Sequence, residues 1–247
     1  MSALTKITAV EGKLLLREPA ATITVLGLPL ALLLVFGVMP GIREPSAQFG
    51  GHSALATFIA PMAVAVLLAI QALTVFPTGM ATNREKGVLR RLATTPISAH
   101  KVLLAQLLVN LGSAFIVVGL ILALGKLVLG MPMPSNVGGF LVATVLGAAS
   151  LFSLGLLLAG LAGTGRTASS IGSILLFPML ALGGVWVPKE KLPEFLQVVA
   201  DLLPLGAALN ALRESWAGAS PQPLQLISMA AFTLVCGALA TRFFRWQ

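Results

Sequence analysis

Six long apolar stretches dominate the chain, separated by short polar runs: Ala20 to Met39, Leu55 to Phe76, Val102 to Leu129, Val137 to Ala162, Ala168 to Val187 and Leu224 to Ala240. Each approaches or exceeds the roughly 20 residues that a helix needs to cross a hydrocarbon layer of about 30 Å. Lipid offers no partner to a peptide group, so each stretch must bond its own backbone and is predicted to be a helix. The first is longer than the ~7 to 15 residues of a cleavable leader's apolar core and is expected to be retained. The third, at about 28 residues or roughly 42 Å of helix, must tilt or protrude, and Lys126 near its far end can snorkel to the headgroups. Pro61 and Pro178 lie inside spans and are expected to kink them.

Three segments between or before the spans carry a different pattern. Residues 1–18 place Leu4, Ile7, Val10 and Leu14 at helical spacing among Lys6, Lys13, Arg17 and Glu18, which predicts a helix lying in the membrane interface and stopped by Pro19. A frayed tail is the alternative. In the loop 77–101, Thr82 followed by Glu85 reads as a capping box opening a short helix that Pro96 ends. Val88, Leu89 and Leu92 share one face of it, with Arg84, Arg90 and Arg91 around the rest. An apolar ridge edged with charge suits docking into a partner's groove. In the stretch 188–223, Phe195, Val198, Val199 and Leu202 form one stripe. Leu205, Ala208, Leu209, Leu212 and Trp216 form another after Pro204. Each piece is too short to cross the bilayer, so a pair of half-length helices dipping in and returning is predicted. A pair lying flat on the surface is the alternative.

Composition sharpens the picture: 57% of residues are hydrophobic, 10% are charged and the mean hydropathy is +0.98. That is far from the roughly 25% charged share of a soluble domain. Positive charge accumulates in cytoplasmic loops, which sets orientation. With the N-terminus inside, the inner segments hold Lys6, Lys13, Arg17, Arg84, Lys86, Arg90, Arg91, Lys101, Arg166, Arg242 and Arg245 against Glu11, Glu18 and Glu85. The chain's whole net charge of +8 therefore falls on one side. Both termini are expected in the cytoplasm. This placement reads as attraction to anionic lipid and not to nucleic acid. Trp186 and Trp246 fall where interfacial anchors belong. The single cysteine, Cys236, lies in the last span, so no disulfide framework is expected.

Candidate chemistry is sparse. A charge near mid-span costs about 2.5–3.5 kcal/mol on insertion scales, and none of the six stretches carries one centrally. His52 and His100 lie in loops without metal-ligand spacing or a neighbouring nucleophile. The segment Gly119 to Leu127 only mimics a phosphate-binding loop, because the spacing of its glycines is wrong and Leu127 stands where Ser or Thr would hold magnesium. No catalytic, cofactor-binding or metal-ligating residue is therefore expected. Gln71, Gln106, Asn110, Ser150, Ser153, Ser169 and Ser173 are read first as hydrogen bonds between helices worth about 0.6 kcal/mol each. A few of them lining a path is the alternative. Gly155, Ala159 and Gly163, and Ser169 with Ser173, mark expected close helix packing.

The run Asn83-Arg84-Glu85-Lys86-Gly87-Val88-Leu89-Arg90-Arg91-Leu92, followed by Thr94-Thr95-Pro96, resembles the loop signature of type-2 ABC exporter permeases between their second and third spans. Pro204-Leu205-Gly206 resembles the opening of that family's second short outer helix, although Leu203 stands where many members have Asn. The resemblance covers the whole chain. It implies an all-α integral membrane fold: a single permease domain over 1–247, an N-terminal interfacial helix, six transmembrane helices, and two re-entrant outer helices that include Phe195, Leu202, Pro204, Leu209 and Arg213. It also implies that Arg84, Glu85, Lys86, Gly87, Val88, Leu89, Arg90, Arg91 and Leu92 couple the chain to its motor, with the N-terminal helix bracing them. The implied partners are two separate ABC ATPase subunits carrying ATP and magnesium, and a second permease, either a twin or a paralogue. In length and in this loop the chain is most similar to the bacterial drug-resistance type of permease, which implies a bacterial cytoplasmic membrane as the location and a drug-like or lipidic compound as the cargo. An ion-gradient-driven carrier is the alternative, and the missing mid-span charge weighs against it.

Overall fold

The computed structural model describes residues 19–46, 49, 51–87, 99–185 and 192–243. The expected interfacial helix over 1–18, the loop positions Val88, Leu89, Arg90, Arg91 and Leu92, and both Trp186 and Trp246 lie outside the described residues. Among those described, the regular elements are helices, beside one isolated bridge between Pro45 and Ser53. They are α1 (Pro19–Gly37), α2 (Leu55–Glu85), α3 (Ala99–Leu129), α4 (Val137–Leu161), α5 (Gly165–Leu182), α6 (Glu194–Leu202), α7 (Pro204–Trp216) and α8 (Pro223–Phe243). Helices α2 to α5 and α8 are long and apolar enough to cross a membrane. With 19 residues, α1 spans about 28 Å, and the six together make an all-helical integral membrane fold.

Helix α2 is the axis of the molecule, buried along most of its length and packed against α1, α3, α4, α5 and α7. It runs past its expected end at Phe76 to Glu85. The Thr82–Glu85 pair therefore does not open a new helix: both residues belong to the last turns of α2. The polar residues Thr78, Thr82, Asn83 and Arg84 that mark a loop in the sequence are half-buried here, with Met80 and Ala81 buried beside them and Glu85 exposed.

Two wider π turns interrupt α2, Leu55–Ile59 and Gln71–Val75, each followed within two residues by a proline. Proline has no N–H, and its ring collides with the carbonyl four residues back, so a proline inside a helix needs a local widening. At the second turn Phe76 donates to the Gln71 carbonyl, five residues back, and Pro77 has nothing to give to Ala72 or Leu73. Glycines from two other helices meet these two carbonyls. A Cβ added at Gly155 of α4 would strike Ala72 O, and one at Gly172 of α5 would strike Leu73 O. Association of helices in lipid rests on packing and interhelical polar contact, because the tails are as apolar as the side chains. A bare Cα against an under-bonded carbonyl supplies both. The packing expected from Gly155 and Ala159 is present, since Gly155 meets α2 and Ala159 is buried. Gly163 instead stands in the open α4–α5 turn. On α5 the close contact belongs to Gly172, between Ser169 and Ser173.

Helices α6 and α7 meet at a 92° bend. Leu203 is extended there (φ −78°, ψ 139°) and Pro204 opens α7, as the geometry before a proline and its preference for a first helical turn require. The pair departs from and returns to one end of the bundle. The Arg213 guanidinium donates to Gly184 O just past α5 (2.8 Å), while Gln225 at the start of α8 donates to Glu214 (2.9 Å). Between these points Ala208 comes against Gly147 of α4, about 16 Å of helix below the α4 cap at Asn136. The re-entrant reading of this segment thus holds, and α7 is buried among α2, α4 and α8. The surface-lying alternative does not hold.

Candidate functional site

Polar contacts among the described residues gather at the two ends of the bundle and at the polar interruption of α2. At the end carrying Glu85, α2 stops because Gly87 adopts a left-handed backbone (φ 70°), a conformation glycine takes without steric cost. Lys86 and Gly87 close the turn by donating to Thr82 O and Arg84 O, both at 2.9 Å. Glu85 to Gly87 therefore close α2.

Arg84 and Glu85 both reach the α4–α5 turn. An Arg84 Nη2 donates to the carbonyl of Ala162, which follows the last residue of α4. The Glu85 carboxylate accepts from the Gly165 N–H, at the first residue of α5 (3.1 Å). Thr164 also caps α5, accepting from the Thr167 N–H at 3.2 Å. A cation at the end of one helix and an anion at the start of the next complement both dipoles. Gly165 is pressed to α2: Thr82 Oγ1 occupies the place a Cβ would take, with the Thr78 carbonyl 3.4 Å from it. Of the residues expected to couple the chain to a partner, Arg84, half-buried, and Glu85, exposed, each bond to the chain itself, and Lys86 is exposed.

Midway along α2 a neutral polar group forms at the π turn. Gln71, fully buried, donates from Nε2 to Asn110 O (2.8 Å) and to Ser113 Oγ of α3. Ser113 donates to Asn110 O at 2.8 Å, and Asn110 to Gln106 O at 2.9 Å. This bears out Gln71 as an interhelical bond, whereas the Asn110 side chain bonds back within α3 to the Gln106 carbonyl and Ser150 within α4 to Gly147 O. The buried Gln71 Oε1, Asn110 Oδ1, Thr74 Oγ1 and Thr78 Oγ1 have no hydrogen-bond partner among the described residues.

At the opposite end, Arg213 also lies over the Phe58 ring of α2 at 4.4 Å, and Asn210 donates to Asp201 across the bend at 2.9 Å. Trp216 donates from its indole to Pro132 O (3.2 Å) and stands edge-on to Phe140 at 5.1 Å. Pro204 and Leu209 are buried, whereas Phe195 (68%) and Leu202 (45%) are exposed. The α6 stripe thus faces outward and the α7 stripe inward. Among the described residues no group of three or more His, Cys, Asp or Glu could hold a metal. Sequence reasoning missed Pro77, Gly165 and Gly172. A proline shortly after a buried glutamine, and glycines facing it from other spans, were the available signals.

The bundle of six spans with a re-entrant helix pair before the last defines a multi-pass helical membrane protein. The family model for the ABC-2 type transporter matches residues 3–216, and the chain belongs to that family. It is similar to the probable multidrug ABC transporter permease YbhR of Escherichia coli (strain K12), 25% identical over 148 residues, which is 60% of this chain and 40% of that protein. The same-named protein of Escherichia coli O157:H7 matches to the same extent. The chain thus covers 40% of the length of these relatives.

Proposed function

We propose that this chain is the membrane-spanning permease subunit of an ATP-driven exporter, with the Glu85 end in the cytoplasm. It takes a hydrophobic or amphipathic compound, drug-like or lipidic, from the cytoplasm or inner leaflet and releases it outside. Two separate ATPase subunits bind ATP and magnesium and carry out the hydrolysis, and a second permease, twin or paralogue, completes the assembly. Membership of the ABC-2 type transporter family over residues 3–216 is the observation that carries this reading. The multidrug permease name of its relatives supports the cargo class, and the basic excess around Arg84, Lys86, Arg90 and Arg91 supports the orientation.

In this reading the ATPase pushes on the loop after Gly87, where Leu89 provides the apolar contact, and α2 carries the push into the membrane. The complex is expected to co-purify with its ATPase. In proteoliposomes it is expected to export a lipophilic fluorescent dye with ATP present, whatever the ion gradients. Leu89→Asp is expected to reduce export at least about tenfold, the effect of losing some 1.4 kcal/mol of productive docking, while insertion is unchanged. Export that collapses with the ion gradient and persists without ATP would establish the carrier reading instead.

A further inference from the structure

The loop signature mixes two kinds of residue, and the structure separates them. Arg84 and Glu85 are adjacent, yet they brace opposite sides of one turn: Arg84 holds the carbonyl after α4 and Glu85 holds the first N–H of α5. Both bonds bridge distant parts of the sequence, and each charge sits at the helix end whose dipole favours it. Beneath them the backbone of Gly165 lies flush against Thr82 and Thr78. Higher up, Gly155 and Gly172 seat the same two helices on α2 at Ala72 and Leu73. Helices α2, α4 and α5 are thus joined at two levels, and the lower joint is built from the residues nearest the loop.

We infer that Arg84 and Glu85 are positioning residues that clamp the Glu85 end of α2 to the α4–α5 turn, so that a push on the loop moves α2, α4 and α5 as one body. Neither residue holds the ATPase. The inference rests on the permease reading above, and it divides the loop by role: residues up to Glu85 transmit, and those after Gly87 receive.

The test uses the full permease–ATPase complex with Cys236→Ser, and spin labels at Gly79→Cys on α2 and Gly163→Cys in the turn. Both positions have open space where a side chain would go. With the clamp intact, the label separation is expected to stay within about 2 Å between the nucleotide-free state and the state trapped with magnesium, ADP and vanadate. Arg84→Ala or Glu85→Gln is expected to spread that separation by about 5 Å, the scale of one helical turn. The ATPase subunit is expected to remain bound at its normal ratio, and Glu85→Asp to restore part of the narrow distribution. Gly165→Ala pushes the turn off Thr82 with every charge in place. It is expected to spread the separation too, and adding Thr82→Ala to narrow it again. A separation that shifts by about 5 Å on trapping in the unsubstituted chain, charge variants that keep the narrow distribution, or charge variants that shed the ATPase would each overturn the clamp. If the unsubstituted chain binds no ATPase, the permease reading fails. The clamp is then still decided by whether the nucleotide-free separations broaden in Arg84→Ala and Glu85→Gln.

Discussion

Single residues in this protein matter according to what they touch in a medium where burial alone contributes little to helix association. Gln71 is fully buried and makes two bonds to α3, but interhelical polar contacts in membranes average only about 0.6 kcal/mol and reach about 1.7. A methyl group at Gly172 meets a backbone carbonyl that cannot swing away, and forced overpacking costs typically about 1–3 kcal/mol. Gly172→Ala is therefore expected to destabilise more than Gln71→Leu, and Gly163→Ala, in open space, to change almost nothing. Reversible unfolding in mixed detergent micelles, read by circular dichroism, gives the order directly. Gln71→Leu ranking first would mean that the polar group, and not the close backbone approach, joins the helices.

At the level of elements, α7 behaves as a buried plug in the bundle and not as a surface helix. Trp216 anchors its end through Pro132 and Phe140, and it is 2% exposed. Trp216→Ala is expected to cost about 3–5 kcal/mol, against less than about 0.5 kcal/mol for Phe195→Ala on the exposed face of α6. Thermal unfolding of the two variants side by side checks this. Helix α2 carries the opposite feature, an interruption kept inside a buried span. Pro77→Ala restores an N–H within reach of the Ala72 and Leu73 carbonyls, and it is expected to leave insertion intact and raise the unfolding midpoint. A lowered midpoint would mean that the π turn is required by its neighbours Gly155 and Gly172 and is not imposed by the proline.

For the whole molecule, the placement of charge and the path of the chain make one joint statement. Among the described residues Arg84, Lys86 and Arg166 lie at the Glu85 end, and the Trp216 end holds both limbs of the re-entrant pair together with the starts of α4 and α8. In intact bacterial cells, a cysteine at Lys86 is expected to resist an impermeant maleimide and one at Ala219 to react with it. Labelling in the reverse sense would invert the orientation and place the loop signature out of reach of any cytoplasmic motor.

The sequence alone determined that the chain is a set of membrane helices, because each apolar run is too long for anything but a self-bonded segment in lipid. It also placed the re-entrant pair, since two stripes too short to span were separated by Pro204. Only the tertiary structure decided that α2 continues to Glu85, that Arg84 and Glu85 turn back onto the chain, and that Gly172 makes the contact on α5. The reason is physical. In water an amphipathic pattern reveals the buried face, but in a bilayer the lipid-facing and protein-facing sides are both apolar. The pattern then carries no contrast, and a polar run such as Thr78 to Glu85 looks the same whether it faces solvent or two helix ends that need its charges.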